Sequence, residues 1–518
     1  MKKRHKLSPS VIRTILITII TVLTFGIFIG ILSIKLNNPY HVSLYNYESY
    51  LSKKIIDKVK KNYSYHVFTE INEFTKAINT EKAVAGVGSD HQIAQLILEN
   101  KIKKINFERI FGTNNKEKIY EFYSPIVREH LDKFDKWIIE EVKRNNPDNI
   151  KNGMKNGIFL PYLVYNEDGI IQGAEIDGQE GVDSFYQYLV PYFIQDKVIA
   201  YNINNKYRPH LKDIENIQFE NTDWTTILKT LINKHNYNRT YWTNSYLDNA
   251  MIGQFYAHES GKENYIVDNK VVDITDENYK KILNYFTEFV YETTGATIKE
   301  NDRNKLVTNG LELVNEIIEP ASTKADIAIM YNGDSLDSYF SEDNFSKLTD
   351  TQIKYIRPHN NYVLLDAWII SKSTNDDESN KLLDFMKENI LMGSNETEEN
   401  ITNHFFEHLL KNINANLSIE EYLKPENFSK YYDTYKDSFD FLPVIQNFDA
   451  INYTPAYLNV NNFLNKYYFK NADGTDDLIA KDIFTISNTD QVNHQIYQPI
   501  NLKLKTKIVD YYYQITKS

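Results

Sequence analysis

Residues 44–59 read LYNYESYLSKKIIDKV. An apolar start leads into a turn holding Tyr45, Tyr47, Glu48 and Tyr50, and a helical pattern follows. HVSLYNY (41–47) reads as a strand, and SKKIIDKVKKN (52–62) as the helix after it. The same unit recurs along the chain. EKAVAGVGSD (81–90) reads as a buried strand ending in a glycine-rich turn, with a helix in HQIAQLILENK. YLVPYFIQDKVIAYNIN (188–204) reads as two strand segments of a crossing connection. TDWTTILKTLINK (222–234) predicts a helix capped by Thr222 or Asp223. TDENYKKILNYFTEFVYETTG (275–295) predicts an amphipathic helix with Thr275 as its N-cap and Gly295 at its end. KADIAIMYNGD (324–334) is another strand and turn, and NNYVLLDAWIISK (360–372) is a long strand interrupted by Asp366. This alternation predicts an α/β fold. Residues about 113–180 and 392–440 are polar and read as insertions.

The N-terminus predicts a membrane anchor. Thr14–Ile34 is 21 residues without a charge, roughly 30 Å of helix and one bilayer core. Lys2, Lys3, Arg4, Lys6 and Arg13 precede it, which predicts a cytoplasmic tail over 1–13 and the rest of the chain outside the cell. No small-x-small site follows Ile34, so an uncleaved single-pass anchor is the expectation. Setting those five basic residues aside from the 58 Lys and Arg leaves 53 against 70 Asp and Glu, a net charge of −17. That balance opposes nucleic-acid binding and favours cations. With no cysteine, the sequence offers no disulfide, thiolate metal site, Cys nucleophile or lipid-modified Cys.

Polar and aromatic groups gather where apolar strands stop: Tyr45 to Tyr50, Ser89 to His91, Tyr331 to Asp334, and Asp366. Ligands of open α/β sheets bind outside such strand ends. A ring paired with a carboxylate suits an alkyl ammonium, because the ring face attracts the cation and the carboxylate accepts its N–H groups. Plainer readings stand beside this one. Tyr331 reads equally as a core aromatic, Asp248 as an exposed helix residue, and Asp366 as either the partner of a cation or the cap of a turn.

At this point the chain resembles the spermidine/putrescine-binding subunit of polyamine ABC transporters, the PotD type. YNYESYL stands for that family's YNWTEYV and GSD for its PST. VPYFIQDKVIAYN matches IPYIWG…GVN, and DWTTIL (223–228) matches SWADL. WTNSYLDNA (242–250) stands for LTDDAREVF, MYNGDS (330–335) for IWNGSA, VLLDAWIIS (363–371) for FWMDSLAIP, and NYTPAY (452–457) for GYPTPN. Eight pieces occur in the family's order, outside both insertions.

The resemblance implies a two-lobed, hinged, periplasmic-binding-protein-like (type II) α/β fold behind one transmembrane helix. Lobe 1 would comprise 40–205 and 366–460, and lobe 2 would comprise 206–365 and 461–518. A polyamine, spermidine or putrescine, would lie between the lobes, with no cofactor, and an ABC permease with its cytoplasmic ATPase would be the partners. Carried over position by position, the implied ligand contacts are Tyr47, Tyr50, Ser89, His91, Asp248, Tyr331, Asp366 and Gln498. Ser245 and Leu364 stand where the family has an acid and a tryptophan, and Glu48 or Asp90 is the expected source of the missing negative charge, with Glu48 added to the contacts. A receptor for another solute, or a surface interaction protein that kept the fold, is the alternative. HFFEH (404–408) fits the H-x-x-E-H signature of zinc peptidases and predicts, remotely, a metal site at His404 and His408. No G-x-S-x-G, P-loop or G-x-G-x-x-G occurs.

Overall fold

The computed structural model describes residues 9–37, 42–69, 71–145, 160–166, 168, 171–174, 183–413, 417–497 and 499–517. Its centre is a ten-stranded mixed sheet. The strands are β1 (Ser43–Tyr47), β2 (Ser64–Phe68), β3 (Ala85–Ser89), β4 (Val190–Asn202), β5 (Thr240–Thr243), β6 (Asn304–Val307), β7 (Ile327–Tyr331), β8 (Ile353–Ile356), β9 (Asn360–Ile370) and β10 (Asn493–Ile496). They run in the order β6-β5-β7-β4-β9-β3-β1-β2, with β8 also on β4 and β10 also on β9. The helices that bear on the site are α1 (Pro9–Asn37), α2 (Lys53–Asn62), α3 (Asp90–Leu98), α4 (Pro125–Asn145), α5 (Tyr246–Glu259), α6 (Tyr279–Thr294), α7 (Gly310–Ile318), α8 (Asn332–Tyr339), α9 (Glu398–Ile413) and α10 (Leu502–Lys517).

Two hydrophobic cores flank this sheet. One gathers Leu44, Val87, Phe134, Leu365 and Phe405, and the other gathers Trp224, Trp242, Phe286, Leu364 and Ile508. The long strands β4 and β9 contribute to both and pair with each other antiparallel. The β9 register slips between Asp366 and Ala367, opposite Phe193 and Pro191 of β4. Pro191 lacks a ladder donor, which suits it to a bulge. From Asp366 to Ile370, β9 also pairs antiparallel with β3, with Asp366 opposite Ser89.

The structure refines several sequence expectations. YLVPYFIQDKVIAYNIN forms one 13-residue strand, not two, every residue of it buried. The glycines of AGVGS lie within β3, and α3 starts directly at Asp90. A Cβ on Gly86 would stand 2.4 Å from the Tyr45 carbonyl oxygen and 2.5 Å from the Phe74 ring, so close packing, not a turn, requires glycine there. The N-cap of α6 is Asn278, three residues after Thr275, while Gly295 closes the helix in the left-handed conformation as expected. The segment 113–180, read as a polar insertion, sends α4 into the first core through Leu131, Phe134 and Ile138. The segment 392–440 likewise buries Phe405, Phe406 and Leu409 of α9. Both helices are amphipathic, and their many charged residues hide a narrow apolar face from a composition reading.

At the N-terminus, α1 is a 29-residue helix over the expected anchor. Among the described residues no helix is long and apolar enough to cross a membrane. Within α1 the described side chains of Leu16–Ile29 are all exposed. The side chains of 14, 15 and 30–34, and the basic tail over 1–8, lie outside the described residues.

Candidate functional site

A cavity of ≈ 200 Å³ opens where the ends of β1, β3, β5 and β7 meet β9. Eight of the nine residues expected at the site line it: Tyr47, Glu48, Tyr50, Ser89, His91, Asp248, Tyr331 and Asp366. The ninth, Gln498, lies outside the described residues. Asp334, Tyr453 and Tyr497 line it as well.

The floor is built around Asp366, which is fully buried. Its Oδ1 accepts the Ser89 hydroxyl at 2.6 Å. Its Oδ2 accepts the Tyr50 hydroxyl at 2.8 Å and the Gln195 amide at 2.9 Å. Ser89 also bonds the Tyr47 hydroxyl at 3.0 Å. The Tyr47 and Tyr50 rings stand 4.8 Å apart, and Tyr50 meets Phe193 and Tyr453 edge-on. Burial pushes the Asp366 carboxyl up to about 7, against the pull of the Ser89 and Tyr50 hydrogen bonds and with help from the charge of Asp90. Among the described residues no cation pairs with it. The turn reading of Asp366 is set aside, since its donors are side chains distant in sequence.

The second acid, Asp248, behaves differently. It sits in the first turn of α5 behind the N-cap Ser245, and it is buried, so the exposed-helix reading fails. Its Oδ1 accepts Ser245 Oγ at 2.8 Å and Tyr497 OH at 2.6 Å. Its Oδ2 accepts Lys197 Nζ at 2.6 Å, and the Tyr331 hydroxyl lies 3.1 Å from Oδ2 and 3.2 Å from Oδ1. Lys197 belongs to β4 and has no exposed surface. Its ammonium lies 3.5 Å from the centroid of the Tyr331 ring and donates to Thr243 Oγ1 at 2.9 Å. Burial raises the Asp248 carboxyl, but the Lys197 charge and the hydrogen bonds from Lys197, Tyr497 and Ser245 together outweigh it and hold the group below its ordinary value. Thus the ring and carboxylate expected to hold a ligand cation already hold one from the chain itself.

A third acid, Asp334, opens α8 and accepts the Tyr453 hydroxyl at 2.6 Å. Gly333 makes this possible, because a Cβ there would stand 1.8 Å from the Tyr453 ring. Burial raises Asp334, with the Lys197 charge opposing. At the mouth, Glu48 accepts the Asn309 amide at 2.7 Å, and Asn309 also caps α7. His91 lines the cavity with its ring 5.5 Å from that of Tyr497. Behind it, Asp90 accepts His130 Nε2 at 2.6 Å and the Leu365 amide at 2.9 Å. Burial raises Asp90, but bonding to His130 and His91 prevails and holds it at about 2.

Lys197, Gln195, Tyr453 and Tyr497 were not expected at the site, and Asp334 was expected only as the end of the strand-end group Tyr331 to Asp334, without a ligand contact of its own. A signal for two of them was present: QDK interrupts an apolar strand, and all three of Gln195, Asp196 and Lys197 are fully buried. Three polar residues in such a strand need partners, and each partner found is a site or inter-strand group. Asp196 takes Arg357 Nε at 2.7 Å and His494 Nε2 at 2.9 Å.

A family model described as hypothetical lipoprotein (MG045 family) matches residues 1–518. The chain belongs to this family. No curated protein matches it. Among solved structures, a putative spermidine/putrescine ABC transporter protein from Listeria monocytogenes is 12% identical, with 92% of this chain and 98% of that one covered at a TM-score of 0.48. The spermidine/putrescine substrate-binding protein PotD from Streptococcus pneumoniae is 13% identical, covered to 92% and 98%, at 0.46. The PotD lipoprotein of Treponema pallidum is 10% identical, covered to 91% and 97%, at 0.42. Although the family is described as lipoprotein, none of these 518 residues is a cysteine that could carry a lipid.

HFFEH lies in α9, and its two histidines do not converge on a metal-ligand set. His404 is exposed, while His408 Nε2 meets Asp440 at 3.1 Å and the Asn412 amide at 3.0 Å. The apolar face holds the motif in the core, with Phe405 stacked on Phe439 at 4.8 Å. Among the described residues no group of three or more His, Asp or Glu is placed to hold a metal ion.

Proposed function

We propose that this protein is the extracytoplasmic solute-binding component of an ABC importer and that its cavity takes an alkyl ammonium compound of the amine and polyamine class. The observation that carries the ligand class is Asp366: a buried carboxylate without a cationic partner among the described residues, lining one cavity with the rings of Tyr47 and Tyr50. A buried carboxylate of this kind is costly to ionise, and a ligand cation removes the cost. The rings add attraction of about 0.5–2 kcal/mol each once desolvated.

The architecture supports the binding role. The cavity is walled on one side by β1 and β3, which pack in the first core, and on the other by α5, which packs in the second, and by β5 and β7, whose residues alternate between the two cores as those of β4 and β9 do. A ligand touching both walls favours whichever arrangement brings them together, by the difference in its contacts. In this reading residues 14–34 anchor the chain in the cell membrane with the N-terminus cytoplasmic. The anchor keeps the receptor beside a permease and its ATPase and raises its local concentration there.

Calorimetry on the full-length protein in detergent tests the reading. Butylamine, putrescine or spermidine should give saturable heat at pH 8, and glucose and glutamate should give none. Heat with the sugar or the anion and none with any amine overturns it.

A further inference from the structure

Gln195 and Lys197 are two residues apart on β4, so their side chains leave the same face of the strand about 7 Å apart at the backbone. Gln195 reaches Asp366, and Lys197 reaches Asp248. One strand therefore serves two acids side by side, one with an ammonium and one without.

We propose that Lys197 permanently occupies the second ammonium seat of the cavity, so that the site selects an amine with a single positive end over a diamine or polyamine. This rests on the amine reading above and narrows it. Lys197 Nζ has what an alkyl ammonium ligand would need: a ring face at 3.5 Å, a carboxylate oxygen at 2.6 Å and a hydroxyl at 2.9 Å. Its stem is wholly enclosed, and no solvent reaches it.

The hydrogen-bond capacity of the two acids points the same way. A carboxylate has about four lone-pair sites. Asp248 is met by Lys197, Ser245, Tyr331 and Tyr497 and has no site to spare. Asp366 is met by Ser89, Tyr50 and Gln195, leaving room for one more donor. A diamine bound through Asp366 would bring its second ammonium toward Lys197 and repel it, since like charges in a shielded site interact strongly. Size agrees, because ≈ 200 Å³ lies below the range of about 300–1,000 Å³ usual for ligand pockets.

The test compares butylamine with putrescine, which share a four-carbon chain and differ by one ammonium. Titrations use the full-length protein in detergent at pH 8, as wild type, Lys197→Met and Lys197→Arg. Wild type should bind butylamine at least tenfold tighter than putrescine. Lys197→Met empties the seat and frees Asp248, so the preference should turn toward putrescine by tenfold or more, while Lys197→Arg should keep the wild-type order. A wild type that binds putrescine as tightly as butylamine, or tighter, overturns the proposal whether or not the Met variant folds. So does a folded Met variant with the wild-type preference. If neither amine binds wild type, the amine reading itself fails and the proposal falls with it, an outcome distinct from binding with the opposite preference.

Discussion

The Ser89 hydroxyl donates to Asp366 Oδ1 at 2.6 Å, across the two strands whose register places these residues opposite each other. The contact ties the end of β3 to the bulged centre of β9. It fixes one oxygen of the carboxylate proposed to take the ligand cation.

Replacing Asp366 with Asn should remove the charge and keep the size. Amine affinity at pH 8 is expected to fall by at least about tenfold, the scale of one lost charge-assisted contact. Because the wild-type charge is buried without a cation, the variant should melt no lower than the wild type at that pH. Calorimetric titration and thermal unfolding of the same preparation check both statements.

Binding and stability should depend on pH with opposite signs. The Asp366 carboxyl is raised to about 7 in the folded protein and titrates near 3.9 when unfolded, so the native state holds the extra proton between those values. Its contribution to the stability of the ligand-free protein is present below about pH 4 and is lost as the pH rises through about 7. Cation affinity should instead rise over that window, by on the order of tenfold to a hundredfold between pH 5 and pH 8. Titrations and melting curves at four pH values between 5 and 8 measure the two slopes.

Ser89→Ala removes the donor whose bond most strongly opposes the burial effect on Asp366. The midpoint of the affinity–pH profile should therefore move upward. A merely structural serine would lower affinity or stability without moving that midpoint.

Gly333→Ala should place its new methyl inside the Tyr453 ring, given the 1.8 Å approach. The ring must swing away, taking its hydroxyl off Asp334. A cost of about 1–3 kcal/mol is expected from the overpacking, with weaker amine binding beside it. Denaturant unfolding of the variant and calorimetry read the two effects.

Much of this arrangement was legible in the sequence, for identifiable reasons. Strand-to-helix alternation revealed the α/β order, and Asp366 stood out because a carboxylate inside VLLDAWII demands a partner. Four of the resembling pieces, YNYESYL, GSD, WTNSYLDNA and MYNGDS, lie at the ends of β1, β3, β5 and β7, and the described site residues among the eight line one cavity. Lys197 escaped because a residue pattern shows which strand a lysine occupies but not which acid that strand brings it to. The contact with Asp248 spans 51 positions and depends on how β4 crosses the fold. Tyr453 escaped for a similar reason: it reaches Asp334 only because Gly333 leaves room for its ring. The amphipathic α4 and α9 read as insertions because their charged residues outnumber a narrow buried face.

The most direct measurement is a crystal structure of the protein soaked with butylamine at pH 8. The account predicts the amine nitrogen at about 2.7–2.9 Å from the Asp366 carboxylate, with its chain along the Tyr47 and Tyr50 rings. Lys197 should stay on Asp248. An amine seated on Asp248 with Lys197 displaced, or a cavity without amine at saturating concentration, would contradict it.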